Sequence, residues 1–265
     1  MDILQEDSTG PDVVALQTRL KARGFSPGAI DGNFGPGTTA AVLAFQKSDG
    51  LLADGIVGAR TAIALGFPGS DLPTSAGMPN VTIAIAAKMF PATPLDHIAT
   101  NLPHVMSALE AASLTTASIV VAALATIRAE TEGFMPISEM LSRFNTSPGG
   151  TPFDLYDHRA DLGNKGPPDG ASFKGRGYVQ LTGRSNYAKF GPLVGVPNLV
   201  QAPDQANDPT IAAKILAAFI ASKETAIKAA LMLDDMGAAR RLVNGGSNGL
   251  DRFSAAYQTG IALLA

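Results

Sequence analysis

The chain has 265 residues, of which 46% are apolar and 16% charged, a balance that supports a buried core and excludes a disordered polymer. Its net charge of −3 excludes a general attraction for nucleic acid or other polyanions. No cysteine is present, which excludes disulfides, thiolate nucleophiles and cysteine-ligated zinc. Frequent alanine and few β-branched runs predict a mainly α fold. The start, MDILQEDSTG, lacks the basic and apolar regions of a secretory signal, so synthesis in the cytoplasm is expected. The most apolar stretch, Ala117 to Ile127, is too short to span a bilayer, so no stable membrane insertion is expected.

Val13, Leu16 and Leu20 stand at i, i+3 and i+7, which predicts an amphipathic helix ended by Gly24. Asp31-Gly32-Asn33-Phe34-Gly35-Pro36-Gly37-Thr38 follows, and is echoed 23 residues later by Asp54-Gly55-Ile56-Val57-Gly58-Ala59-Arg60-Thr61. Each Asp-Gly predicts a tight turn with the Asp side chain on nearby backbone and Gly at positive φ. The apolar residue of each copy should plug the core, and the later Thr should cap a helix. Val42 and Phe45 mark the inward face of the helix after the first copy. These segments, VVALQTRLKARGF, IDGNFGPGTTAAVLAFQ and GLLADGIVGARTAIAL, resemble the three-helix peptidoglycan-binding domain of wall hydrolases. The resemblance covers about residues 5–66 and implies peptidoglycan as partner; it singles out no binding residue.

Residues 67–80, FPGSDLPTSAGMPN, read as a linker between a binding domain at 1–66 and a second domain at 81–265. Helices are expected at 81–89, 95–112, 117–131, 208–221 and 223–233. The glycine-rich stretch 145–178 reads as a long functional loop.

In the helix 117–131, Ile119, Ala123 and Ile127 mark an inward stripe, and Glu130 continues it. Partial burial and a place in the last helical turn both favour a protonated carboxyl group there, which suits a general acid for glycosidic cleavage. The competing reading is a structural glutamate paired with Arg128 or Arg176. A second carboxylate is not fixed by pattern: Glu139, beyond the break GFMPIS, competes with Asp154, Asp157, Asp161 and Asp169.

The stretch AETEGFMPISE resembles the acid-bearing segment of glycoside hydrolase family 19, the chitinase-like family that includes many phage endolysins. Glu130 and Glu139 fit the spacing of its two glutamates, while Ala129 stands where the family usually has His. FKGRGYVQLTGRSNYAKFG resembles the family's most recognisable stretch, LYDHRADLGNKGPPDG the loop before it, and VNGGSNGLDR its Asn-Gly-Gly element. The resemblance spans about 81–265. It implies a lysozyme-like helical catalytic domain that works by inversion without metal or cofactor. Glu130 would be the acid and Glu139 the base, with carboxyl groups roughly 6.5–9.5 Å or more apart. It also places Gln180, Thr182, Asn186, Tyr187, Arg176 and Asn244 at the sugar-binding cleft. With no Trp, the available aromatic platforms are Tyr156, Tyr178 and Tyr187.

Together these readings describe a modular, monomeric endolysin-type enzyme cutting β-1,4 bonds of peptidoglycan, released to the wall by a separate pore-forming protein. The alternatives are a chitinase on the same scaffold, a zinc amidase or peptidase, and a non-catalytic wall-binding protein. For zinc the histidines are few: His97 and His104 lie at i, i+7 around Pro103, and His158 is distant.

Overall fold

The computed structural model describes residues 4–49, 51, 53–67, 78–244 and 248–264. The chain is mainly α and divides into two compact units, Met1–Ala76 and Gly77–Ala265. Of the expected linker, residues 68–77 lie outside the described residues.

The first unit is built from α1 (Pro11–Ala22), α2 (Pro36–Ser48) and α3 (Ala59–Ala64). Pro opens α1 and α2, where its missing N–H costs nothing. Val13, Leu16, Leu20, Phe34, Val42, Phe45 and Val57 form one core. The two Asp-Gly turns form as the sequence predicts. Gly32 and Gly55 both take φ 75°, and Asp31 and Asp54 each accept the N–H two residues on at 2.9 Å.

The predicted threonine caps do not form. Gly35 is the N-cap of α2, and Thr38 lies buried inside its first turn. The hydroxyl instead belongs to a lock centred on a buried glutamine. Gln17 Nε2 donates to Asp31 Oδ1, the Asn33 carbonyl and Thr38 Oγ1, while its Oε1 accepts from the Asp31 and Gly32 amides. Gln46 repeats this with Asp54 Oδ1, the Ile56 carbonyl, Thr61 Oγ1 and the Gly55 amide. Both glutamines are 1% exposed, so their amides replace the water these turns would otherwise need.

The second unit runs α4 (Ile83–Met89), α5 (Leu95–Ala111), α6 (Ala117–Glu130), β1 (Ile137–Ser138), α7 (Asp154–Asp157), α8 (Asp169–Ser172), β2 (Arg176–Gly177), α9 (Arg184–Leu193), α10 (Pro209–Ala221), α11 (Glu224–Met232), α12 (Met236–Asn244) and α13 (Leu250–Leu264). At its centre is α6, packed by α13, α11 and α10. Every residue from Ile119 to Ile127 is buried, so the inward stripe expected of this helix is in fact its whole circumference. Among the described residues no helix is long and apolar enough to cross a membrane.

The stretch 145–178 is not an open loop. It holds α7, α8, a 3₁₀ turn at Ala160–Leu162 and β2, tied by buried polar side chains. Asn164 accepts from the Arg184 amide and donates to the Tyr156 carbonyl. Asp157 accepts the Gly170 amide, and Asp169 accepts both arms of Arg184.

Candidate functional site

Glu139 directly follows β1, which pairs antiparallel with β2 in the register Ile137↔Gly177 and Ser138↔Arg176. The ladder continues one step: the Glu139 amide donates to the Gly175 carbonyl at 2.7 Å. At the end of this short sheet three donors, from the loop after β1, from α7 and from the residue before β2, meet the Glu139 carboxylate. Asn145 Nδ2 reaches Oε1 at 2.9 Å, the Tyr156 hydroxyl reaches Oε1 at 2.8 Å, and the Gly175 amide reaches Oε2 at 3.1 Å. Burial, then the Glu139 carboxylate, pushes the Tyr156 hydroxyl up to about 12, so it remains a donor across the ordinary pH range. A Cβ at 175 would sit 2.8 Å from Gln180 Oε1 and 3.3 Å from Glu139 Oε2, so a larger residue there would displace the Gln180 amide and press on the carboxylate.

Glu130 is the last residue of α6, at the edge of the core, with its side chain 14% exposed. Its Oε1 meets Arg240 Nη2 at 2.6 Å. Arg240 is 1% exposed and is anchored by Nε and Nη2 on the Asn248 carbonyl. The sequence names Arg128 and Arg176 as possible partners, and both are engaged elsewhere. Arg128 pairs with Glu132, and Arg176 pairs with Asp204. The surroundings of Glu130 are therefore not purely apolar, as its place on the stripe led one to expect, but contain a buried cation.

The four competing aspartates are also committed. Ser147 holds Asp154 by hydroxyl and amide, Gly170 caps Asp157, Arg159 pairs with Asp161, and Arg184 grips Asp169.

Of the expected cleft residues, Gln180, Thr182 and Asn186 are half-buried beside the sheet. Gln180 takes φ 49° and its amide donates to the Ile137 and Gly177 carbonyls. The Thr182 hydroxyl donates to the Gln180 carbonyl, and Asn186 Nδ2 donates to the Thr182 carbonyl.

Arg176 and Tyr187, expected at the sugar, are instead buried beneath this surface. Arg176 Nη1 donates to the Ser172 carbonyl and the Tyr187 hydroxyl, which itself donates to the Lys174 carbonyl. They brace β2 from below. Tyr178 is likewise buried, bonded to Asn101, and offers no ring to a ligand. Asn244 ends α12, and its side chain lies outside the described residues.

His97 faces the Gly133 carbonyl and His104 faces Thr210, so the two do not converge. Among the described residues no three His, Cys, Asp or Glu side chains gather where they could hold a metal ion. Asn145 and Arg240 are the site residues that sequence reading misses. Their partners lie 6 and 110 positions away, and neither spacing is a helical or strand period.

Comparison with known proteins adds the following. A stretch of 59 residues is 48% identical to the spore cortex-lytic enzyme of Bacillus cereus, covering 22% of this chain and 23% of that one. Another of 71 residues is 44% identical to the N-acetylmuramoyl-L-alanine amidase CwlM of Mycobacterium tuberculosis, covering 27% and 17%. The chain thus spans about a fifth of the length of these curated relatives. The crystal structure of chitinase C from Streptomyces griseus HUT6037 superposes with a TM-score of 0.49 at 21% identity, over 74% of this chain and 83% of that one. The Burkholderia AP3 phage endolysin gives 0.27 at 20% identity over 99% of both. Superpositions at these scores do not bear on activity. Residues 9–65 match the family model described as a putative peptidoglycan binding domain, which identifies the fold of the three helices around the glutamine locks.

Proposed function

We propose that this chain hydrolyses β-1,4 glycosidic bonds of peptidoglycan, with Glu130 as general acid, Glu139 as the base that activates water, and the first unit as the wall anchor. The observation that carries this reading is the unequal setting of two carboxyl groups nine residues apart in sequence. Glu139 is oriented by three neutral donors, two side chains and one backbone amide, as a base aimed at one water must be. Glu130 has a single cationic partner at the end of a buried helix. Cleavage by inversion needs two carboxyl groups in different roles; the donors around Glu139 suit the base, and Glu130 takes the acid role from the resemblance of its segment to the family 19 motif. Thr182 and Asn186 supply the polar edge for sugar hydroxyls. Action at the wall after release through a separate pore, as a monomer, belongs to the same reading.

The test is lysis of permeabilised Gram-negative cells with the released fragments analysed chemically. New reducing ends should appear without new amino groups. Glu130→Gln and Glu139→Gln should each lower kcat by about a thousandfold with the fold intact. Free amines in place of reducing ends would make the enzyme an amidase and refute the mechanism, and reducing ends from chitin alone would make it a chitinase. One observation favours a second reading, in which Glu130 is structural: the Arg240 pair is the contact such a glutamate makes. In that case Glu130→Gln lowers thermal stability and leaves turnover in place.

A further inference from the structure

Large apolar side chains left together in water are rare unless something covers them. Between Met135 and Leu155 the chain exposes Met140 (80%), Leu141 and Phe144 (73%), beside the less open Met135 and Ile137. Among the described residues every other phenylalanine and every tyrosine is buried or half-buried, so Phe144 is the one ring offered to solvent.

The loop that carries it is fastened. Asn145, fully buried, donates to the Met140 carbonyl and accepts the Ser142 amide, both at 2.9 Å, and its own carbonyl accepts the Leu155 amide. The same side chain donates to Glu139 Oε1, so the exposed loop and the carboxylate share one anchor. Arg143 lies against the ring, its guanidinium carbon 4.9 Å from the Phe144 centroid. Among the described residues every ion pair is made by other cations.

We propose that the loop Met140–Phe144 is a wall of the substrate cleft at Glu139, where Phe144 packs on a sugar ring and Arg143 receives a carboxylate of the peptide stem. This rests on the reading of Glu139 as the base. The occupant is argued from position and charge. The loop is continuous with Glu139 through Met140 and through Asn145, so a glycan reaching the carboxylate runs along it. A pyranose presents an apolar C–H face that suits an aromatic ring. A guanidinium that makes no ion pair among the described residues distinguishes the two glycans under consideration, because chitin is neutral and peptidoglycan stems carry carboxylates. A loop already ordered by Asn145 loses little freedom on binding.

The experiment uses the full chain carrying Glu130→Gln, with methyl-labelled methionine, observed by NMR. Seven of the eight methionines lie in the second unit, so the Met140 resonance is assigned from its loss in Met140→Leu and then reports the loop. A soluble disaccharide–tetrapeptide should shift the Met140 resonance. Arg143→Gln should weaken that binding about fivefold, and leave chitotetraose binding unchanged. Phe144→Ala should weaken both about tenfold. A Met140 resonance that ignores the tetrapeptide fragment, or equal affinity with and without Arg143, overturns the proposal. Reducing-end release by the unsubstituted protein is followed in parallel. Its absence, with the loop result intact, removes the glycosidase reading and leaves the loop as a ligand wall.

Discussion

At the scale of single residues, the second unit is secured by buried charged side chains held in ion pairs, Asp169 with Arg184 and Arg240 with Glu130, although Arg176 Nε and Arg240 Nη1 are buried without a hydrogen-bond partner among the described residues. The Arg184 guanidinium, and then the Lys165 amide, hold the Asp169 carboxyl below its ordinary value of 3.8. A carboxyl depressed in the folded state contributes stability above its unfolded value and loses it as pH falls through the folded one. Asp169→Asn should therefore lower stability by roughly 2 kcal/mol at neutral pH. The difference should close as pH is taken below 3.8, as thermal melts across a pH series would record. Pairings of this kind are hidden from a sequence reader. Glu130 was visible because it ends an apolar helix, but its partner Arg240 is one of two adjacent arginines, and nothing local says which is buried. Arg176 and Tyr187 sit in a motif rich in polar residues, which drew them toward the cleft in prediction, whereas folding uses them to brace β2.

At the scale of elements, the helices written in alanine and leucine were legible to within a residue or two, from α4 through α6 and again at α10 and α11. The C-terminal helix α13 was not anticipated, although Phe253, Ala256, Tyr257 and Gly260 repeat at helical spacing and are all buried. Within it Gly260 marks close approach, since a Cβ there would lie 2.7 Å from Val121 Cγ1 and 3.0 Å from Met89. In the first unit the turns were legible and their glutamine locks were not, because the lock joins a helix to a turn that lies well beyond it. Removing either glutamine leaves a buried glycine amide, that of Gly32 or Gly55, without its acceptor. Gln17→Ala and Gln46→Ala should each cost about 2 kcal/mol, which for a unit of this size lowers its melting temperature by roughly 10 °C. Calorimetry of the full chain would show one transition shifted and the other unmoved.

At the scale of the whole molecule, the proposed function predicts that a wall-binding unit tethered to the catalytic one turns each encounter with the polymer into repeated local ones. Removal of residues 1–76 should leave turnover of soluble fragments within about twofold, and slow the digestion of insoluble sacculi by about a hundredfold. Equal loss on both substrates would mean that the first unit supports the fold of the second rather than its access to the wall.

The duplicated lock also bears on how such a unit can vary in length. Gln17 reaches Asp31 across 14 positions, and Gln46 reaches Asp54 across 8. Four of the five bonds of the first lock recur in the second, so the path between helix and turn is not specified by the bonds that close it. Lengthening a closed loop adds an entropic cost that grows only slowly with its size. The segment between Ala22 and Asp31 can thus take insertions where they leave Phe25 against Phe45 and the Pro27 carbonyl on Thr38, and the unit can acquire a new surface without relearning how to fold.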